Sequence, residues 1–172
     1  ALLLAPYIYL SQFVHPTADD INYACNTLSL DWCCAFVNEY CKWTGAYSSS
    51  ALLLLSNFFI RHDFVFQLFP VLMLVLTWFS NYFLITSLSG NLLQTFSRVN
   101  LSFFLTLLFV FMMPSAAQGF FWMTGILAYQ LGNVITLLHI TFVINFIRKK
   151  FFVHRYFHLL ITITLLAAAI GF

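Results

Sequence analysis

The sequence contains few charged residues. Asp, Glu, Lys and Arg together make up 7% of the chain, whereas they make up about 25% of an average soluble domain. Hydrophobic residues contribute 62% and aromatic residues 20%. This composition excludes an ordinary soluble domain and predicts an integral membrane protein, with membrane lipid as a partner.

Acidic residues are absent from position 64 to position 172. A carboxylate is costly in hydrocarbon and is expected at a water-facing surface or in a functional cavity. The segment over residues 15–65, called the acidic loop below, is therefore where we expect the chemistry of this protein. It contains all five acidic residues of the chain: Asp19, Asp20, Asp31, Glu39 and Asp63.

The sequence also lacks the motifs of several soluble enzyme classes. It has no Gly-rich phosphate loop, no nucleophile elbow and no His-Glu-x-x-His pattern. Soluble hydrolases and nucleotide-binding enzymes therefore have no support. We also expect no nucleic-acid partner.

Long apolar runs predict the membrane spans, since a helix needs about 20 residues to cross a bilayer. We predict an all-α polytopic helix bundle whose extracytoplasmic acidic loop carries interfacial juxtamembrane helices. Residues 1–172 are interpreted as a single membrane domain and as a fragment of a longer chain. The expected spans are residues 66–88, 99–113 and 120–147, with truncated spans at 1–14 and 156–172.

Basic residues orient these spans. Arg98 follows the span at 66–88, and four more basic residues follow the span at 120–147, so the positive-inside rule places both connections in the cytoplasm. The acidic loop then faces outward, at the cell (inner) membrane. We interpret the second group as a topology anchor, with lipid-headgroup recognition as the alternative. Its members are Arg148, Lys149, Lys150 and Arg155.

Two short connections complete the outer face. Residues 51–60 are apolar but too short to cross, so we expect one interfacial helix over about residues 46–60. Ser48, Ser49 and Ser50 offer an N-cap for it. The turn over residues 114–119 is short and faces outward, which brings Gln118 and Trp122 close to the acidic loop.

The span at 120–147 carries small and polar residues. Gly125, Ala128 and Gly132 form a small-residue face that permits close approach of another helix. An adjoining polar flank predicts interhelical hydrogen bonds, with a substrate path as the alternative: it consists of Tyr129, Gln130, Asn133 and Thr136. His139 is either a histidine buried in the bundle or a proton relay.

Four cysteines lie in the acidic loop, at Cys25, Cys33, Cys34 and Cys41. On an oxidising side of the membrane, one or two disulfides would hold the loop together. Free structural thiols are the other interpretation. A zinc site is disfavoured, since no paired Cys-x-x-Cys spacing is present.

Asp19 and Asp20 are open to two interpretations. They suit the first turn of a helix that has Thr17 as its N-cap, with Asp20 at the capping-box position. Alternatively, one of them acts as a general base. Adjacent helical residues point about 100° apart, so the two carboxylates should not share a role. We expect Asp19 to be the base, and we expect replacement of either residue by Asn to leave folding almost untouched.

Two segments carry a resemblance to a known family. Residues 40–48 read Tyr-Cys-Lys-Trp-Thr-Gly-Ala-Tyr-Ser, and residues 121–129 read Phe-Trp-Met-Thr-Gly-Ile-Leu-Ala-Tyr. With an outward Asp-Asp directly after an apolar segment, the chain resembles the N-terminal module of the membrane-integral glycosyltransferases of the C superfold (GT-C). The two segments are similar to the Trp-x-Gly-Arg-Tyr and aromatic-Trp-x-x-Gly-x-x-x-Tyr segments of that family. Ala46 stands where those members tend to carry Arg.

The resemblance implies transfer of a sugar from a polyprenyl-phosphate donor to an acceptor on the extracytoplasmic side. A loop carboxylate, Asp19 or Asp20, would be the general base. A divalent metal ion held by one of these two residues is left open as a cofactor. The remaining expected site residues are Lys42, Arg61 and His62 for the phosphate, Asp63 as a partner of Arg61 or a second acid, and Gln118 and Trp122 near the substrate.

Two other functions remain as alternatives. The first is a non-catalytic integral membrane subunit or scaffold that holds a membrane-protein partner. The second is a transporter. The scarcity of polar residues within the spans favours the scaffold and counts against the transporter.

Overall fold

The computed structural model describes residues 2–60, 62–148 and 155–172. Within these ranges the chain is mostly helical and has no strand, so the prediction of an all-helical protein is confirmed for this part of the chain. The α-helices are α1 (Ala5–Ser11), α2 (Ala18–Ser29), α3 (Trp32–Glu39), α4 (Tyr47–Leu53), α5 (Ser56–Phe59), α6 (Asp63–Ser89), α7 (Thr95–Met112), α8 (Met123–Arg148) and α9 (Arg155–Ile170).

Three of these helices are long and apolar enough to cross a membrane, namely α6, α7 and α8. This finding agrees with an integral membrane protein. Helix α8 begins at Met123 and not near residue 120, because Trp122 leaves the helical conformation with φ −110° and ψ 114°. Helix α9 is apolar but shorter, and the apolar start of the chain forms a 3₁₀ turn followed by α1.

Helix α6 is the centre of the packing. It contacts both α7 and α8, and α8 also packs against α9. One buried apolar cluster joins the three long helices through side chains such as Met73, Val110 and Val134. A second cluster joins the acidic loop to the beginnings of α6 and α8 through Leu54, Phe66 and Met123.

Basic residues gather at one end of the long helices. The guanidinium of Arg148 donates to the backbone carbonyl of Ser87, and Arg98 Nη2 donates to the carbonyl of Gly90 at 2.5 Å. Both acceptors lie at the end of α6, whereas Phe59 of α5 packs against Phe69, near the beginning of α6. The acidic loop and these two arginines therefore lie at opposite ends of α6. Lys149 and Lys150 lie outside the described residues.

The single helix expected over residues 46–60 is wrong. The structure has two short helices, α4 and α5, with the chain turning at Leu54 and Leu55. Leu54 is fully buried and Ser56 is 1% exposed. The turn changes the direction of the chain between α4 and α5. Residues of both short helices and Leu54 of the turn therefore pack into the same core.

The expected N-cap of α4 at Ser48 to Ser50 is also wrong. Ala46 occupies the cap position, while Ser49 and Ser50 are buried. The backbone N–H groups of Ser48 and Ser49 donate to the carbonyl oxygen of Gly171, at 2.9 and 3.3 Å. The first turn of a helix needs acceptors for its N–H groups, and here a carbonyl just beyond α9 provides one.

Two of the small residues of α8 lie against neighbouring parts of the chain, although the neighbour is not another α-helix as the sequence predicts. A side chain at Gly132 would place its Cβ 2.8 Å from the Cβ of Phe172, so the residues after α9 reach α8 only because Gly132 has no side chain. A side chain at Gly125 would clash with the carbonyl oxygen of Gln118. The turn that precedes α8 can therefore lie against its beginning only because Gly125 has no side chain.

Candidate functional site

A cavity of about 610 Å³ opens between the acidic loop and the beginning of α8. It is the candidate site, called the loop cavity below. Polar side chains reach it from α2, from α3 and the residues just after α3, and from α8, and the end of the chain contributes Phe172. The lining residues that bear chemistry are Asp19, Asn22, Tyr23, Asn38, Glu39, Lys42, Trp122, Thr124 and Tyr129.

Asp19 is exposed on α2 and faces this cavity. It also lines a shallower depression of about 330 Å³ together with Gln118 and Trp122. The structure therefore brings Asp19, Gln118 and Trp122 together, and Trp122 borders both spaces. The carboxylate of Asp19 is accessible to a molecule bound in either one.

Asp20 has a different environment, since it is 1% exposed. Its Oδ2 accepts from the backbone N–H and the hydroxyl of Thr17, both at 2.9 Å. Its Oδ1 accepts from the backbone N–H of Thr124 at 3.0 Å and from the Thr124 hydroxyl at 2.7 Å. The bond from the Thr17 backbone N–H is one half of the capping box that the sequence predicts, and the Thr17 side chain accepts from the backbone N–H of Asp20 in the other half. The pair of bonds from Thr124 ties α2 to the first turn of α8.

These contacts change the expectation for replacement of Asp20 by Asn. Both carboxylate oxygens accept hydrogen bonds, whereas an amide offers one acceptor oxygen and an NH₂ that donates. The NH₂ would face donors of either Thr17 or Thr124. We therefore expect Asn at position 20 to destabilise the fold, although Asn at the exposed position 19 should not.

Glu39 is a site residue that the sequence reasoning missed. It is 7% exposed, lines the loop cavity, and its Oε1 accepts from the Asn26 side-chain amide at 2.9 Å. Glu39 precedes Lys42 by three positions, so the two share one side of a helical segment. That spacing was the available signal for a second carboxylate beside the predicted cation.

Tyr23 adds a protonated hydroxyl to the cavity. Burial raises the pKa of Tyr23 to about 12, and the negative charges of Glu39 and Asp19 and the neighbouring Tyr129 add to this effect. A buried phenol beside two carboxylates resists losing its proton, because the phenolate would be poorly solvated and repelled. Tyr23 therefore remains a hydrogen-bond donor at neutral pH.

The other predicted site residues are distributed unevenly. Lys42 lines the loop cavity. His62 and Asp63, at the beginning of α6, are exposed and are not among the residues that line it. Arg61 lies outside the described residues.

The four cysteines are free, exposed thiols. In the described part of the chain, no three His, Cys, Asp or Glu side chains come together in a way that could hold a metal ion.

Three π-helical turns border the loop cavity and its neighbouring depression. They span Tyr40–Thr44, Ala117–Phe121 and Ile126–Gln130. Each contributes a lining residue: Lys42 from the first, Gln118 from the second and Tyr129 from the third. A π turn holds an extra residue within a helix and is frequent at functional sites.

Deeper in the structure, polar residues join the long helices. Gln130 Nε2 donates to the Thr77 hydroxyl at 2.9 Å, and Asn81 Nδ2 donates to the Thr106 hydroxyl at 3.1 Å. The prediction of interhelical hydrogen bonds is confirmed for Gln130. His139 Nδ1 is buried with no hydrogen-bond partner among the described residues.

The fold and the cavity together define a helical protein with three helices able to cross a membrane and a polar site at one end of them. Comparison with protein-family models, with curated proteins and with solved structures finds no match to this chain. The function therefore has to be argued from the residues of the loop cavity.

Proposed function

We propose that this chain is a membrane glycosyltransferase-like protein that transfers a sugar from a polyprenyl-phosphate donor to an acceptor on the extracytoplasmic face. The observation that carries the proposal is the loop cavity itself. It places an accessible carboxylate, Asp19, and a cation, Lys42, in one space beside the aromatic rings of Trp122 and Tyr129.

The chemistry assigns a separate role to each charge. Asp19 takes the proton of the acceptor hydroxyl as its oxygen bonds to the anomeric carbon of the sugar. The bond from that carbon to the phosphate oxygen breaks, and the lipid phosphate leaves as an anion. Lys42 stabilises this anion by a charge-assisted hydrogen bond. Polyprenyl phosphate and a new glycoside are the products.

The remaining lining residues suit a sugar. Trp122 and Tyr129 offer aromatic surface, which combines an apolar face with a polar edge. Asn22 and Asn38 carry amides that donate and accept, and the protonated Tyr23 hydroxyl is a further donor. Such a mixed lining matches the hydroxyl groups and the C–H faces of a carbohydrate.

Ala46 marks the departure from the GT-C resemblance, and it lines the same cavity. The family tends to carry Arg at the corresponding position. Among the described lining residues, Lys42 is the only Lys or Arg. We therefore assign the binding of the phosphate to Lys42.

We further propose that the acidic loop is extracytoplasmic in the cell (inner) membrane and that the N-terminus faces the cytoplasm. Support comes from Arg98 and Arg148, which lie at the end of α6 opposite the loop. Basic residues concentrate on the cytoplasmic side of membrane proteins.

The exposed thiols of the acidic loop test this orientation. A membrane-impermeant maleimide added to intact cells is expected to label the native Cys25, Cys33, Cys34 and Cys41, because all four are free and exposed. A variant with all four replaced by Ser is the matched control. Labelling that requires permeabilised cells would reverse the proposed orientation.

The function is tested by reconstitution of the full-length protein in liposomes with a radiolabelled polyprenyl-phosphate sugar. We expect release of polyprenyl phosphate and transfer of the label to a hydroxyl acceptor. Lys42→Met should lower the turnover of the donor about 10-fold or more, whereas Lys42→Arg should retain most of it. An inactive wild-type protein that co-purifies with another membrane protein would favour the scaffold instead.

A further inference from the structure

A groove runs between α7 and α8 on the membrane part of the protein. Both helices pack against α6, but they make few contacts with each other. The space between them measures about 450 Å³ and has Thr77 and Asn81 of α6 at its base. Its α7 side is apolar, with Leu105, Leu108, Phe109 and Met112, whereas its α8 side includes Gln130, Asn133 and Thr136.

The α8 side of the groove has unmet hydrogen-bonding capacity. Gln130 is 1% exposed, and its Oε1 has no hydrogen-bond partner among the described residues. Asn133 and Thr136 are exposed beside it. Within hydrocarbon, a polar group without a partner costs free energy, because no water is present to replace the missing bond. Lipid tails cannot supply that partner.

This face of α8 differs from the exposed faces of the other two long helices. Between its ends, α6 exposes only apolar residues, as expected for a surface covered by lipid: Leu68, Leu72, Val75, Phe79 and Phe83. Beyond its first turn, α7 exposes Leu101, Phe104 and Phe111 outside the groove, and Asn100 is its one exposed polar residue there. On α8, between Tyr129 at the loop cavity and Arg148 at the opposite end, the exposed residues are Asn133, Thr136, Ile140 and Ile147.

Their spacing also points to a helical partner. Asn133, Thr136, Ile140 and Ile147 follow one another at intervals of three, four and seven positions, which is the spacing of a seam between two helices packed side by side. Polar residues at such a seam join membrane helices by hydrogen bonds across the interface.

We propose that this face of α8 pairs two copies of the chain side by side in the membrane, related by a two-fold axis. The Asn133 side chain carries both a donor and an acceptor, so the same residue of a second copy is its natural partner. A different protein would need a complementary polar residue at the same depth, whereas a second copy provides one by symmetry.

The groove makes this arrangement self-consistent. If α8 of the second copy lies over the groove of the first, then α8 of the first lies over the groove of the second. The order across the dimer is then α7, the partner's α8, α8 and the partner's α7. The apolar residues Leu108 and Met112 of α7 cover the outer side of the partner's α8.

Cross-linking tests the proposal directly. In the full-length protein with its four native cysteines replaced by Ser, Asn133→Cys is expected to give a covalent dimer with a short thiol-reactive linker in native membranes. Phe79→Cys is the matched control. It lies two residues beyond Thr77, which is bonded to Gln130, and so at a similar depth on a wholly apolar face. Equal cross-linking at both positions, or linkage of position 133 to a different protein, would overturn the proposal.

A second measurement does not depend on cysteine chemistry. Single-molecule photobleaching in liposomes reports the monomer–dimer equilibrium as protein density varies. Asn133→Leu should weaken dimerisation about 3- to 30-fold, the range expected for a hydrogen bond between membrane helices. Asn133→Gln should restore most of it, and Phe79→Leu should leave it unchanged. A wild-type protein that stays monomeric at all densities, or an Asn133→Leu dimer of wild-type strength, would refute the interface.

Discussion

Replacing Asp19 with Asn is expected to lower sugar transfer by about 10²- to 10⁴-fold, the usual effect of losing a general base. The amide keeps the shape and polarity of the side chain but cannot take the proton of the acceptor hydroxyl. Asp19 is exposed on α2 and faces the loop cavity, so stability should be little affected. Transfer from a polyprenyl-phosphate sugar in proteoliposomes measures the effect.

Asp31→Asn is the matched control for this experiment. Asp31 is an exposed carboxylate of the same loop, and its side chain caps α3 by accepting from the backbone N–H of Cys33 at 3.3 Å. It is not among the residues that line the loop cavity. Asn is as good a cap as Asp, so Asp31→Asn should be as active and as stable as the wild type. Equal activity of the Asp19→Asn and Asp31→Asn variants would remove the base from the proposed mechanism.

Replacing Asp20 with Ala is expected to lower the free energy of unfolding by about 2 to 5 kcal/mol, since each buried donor that loses its partner costs about 1 to 3 kcal/mol. The backbone N–H and the hydroxyl of Thr124 are buried and both depend on Asp20 Oδ1. The two donors of Thr17 are only partly buried, so water can replace part of that loss. Denaturant titration in mixed micelles measures the change.

Two further variants test how much the four hydrogen bonds of Asp20 contribute to stability. Thr124→Val removes the hydroxyl but keeps the backbone bond, so it should cost only about 1 to 2 kcal/mol. Asp20→Asn should lie between Thr124→Val and Asp20→Ala. If Asp20→Asn is as stable as the wild type, the four hydrogen bonds do not hold α2 to α8. A loss of transfer by that variant without loss of stability would instead make Asp20 a candidate base.

Some of this structure can be predicted from residues that are close in sequence. The three long helices follow from apolar runs of sufficient length, and the capping box follows from the three-residue spacing of Thr17 and Asp20. Both depend on local chemistry that acts within one helix. The presence of Asp19 beside Gln118 and Trp122 was also expected, because a short turn returns the chain to the acidic loop.

The rest depends on partners that are distant in sequence. Thr124 lies 104 positions from Asp20, and Gly171 provides the acceptor for the first turn of α4. Glu39 enters the cavity because α3 packs against α2 and α4. Its three-residue spacing from Lys42 places the two on one side of a helical segment but does not predict this packing. The π turns cannot be predicted from the sequence either, because a single extra residue does not alter the composition of an apolar helix.

The π turn at Ile126–Gln130 fixes the rotational phase between the two parts of α8. An α-helix advances by about 100° for each residue, so deletion of one residue there would turn Met123–Gly125 by about that angle relative to Leu131–Arg148. Thr124 would then point away from Asp20 while Asn133 and Thr136 kept their direction. The extra residue of the π turn therefore lets α8 direct Thr124 toward Asp20 and, further along, Asn133 and Thr136 toward the groove. A regular α-helix would not place both sets of residues in these directions.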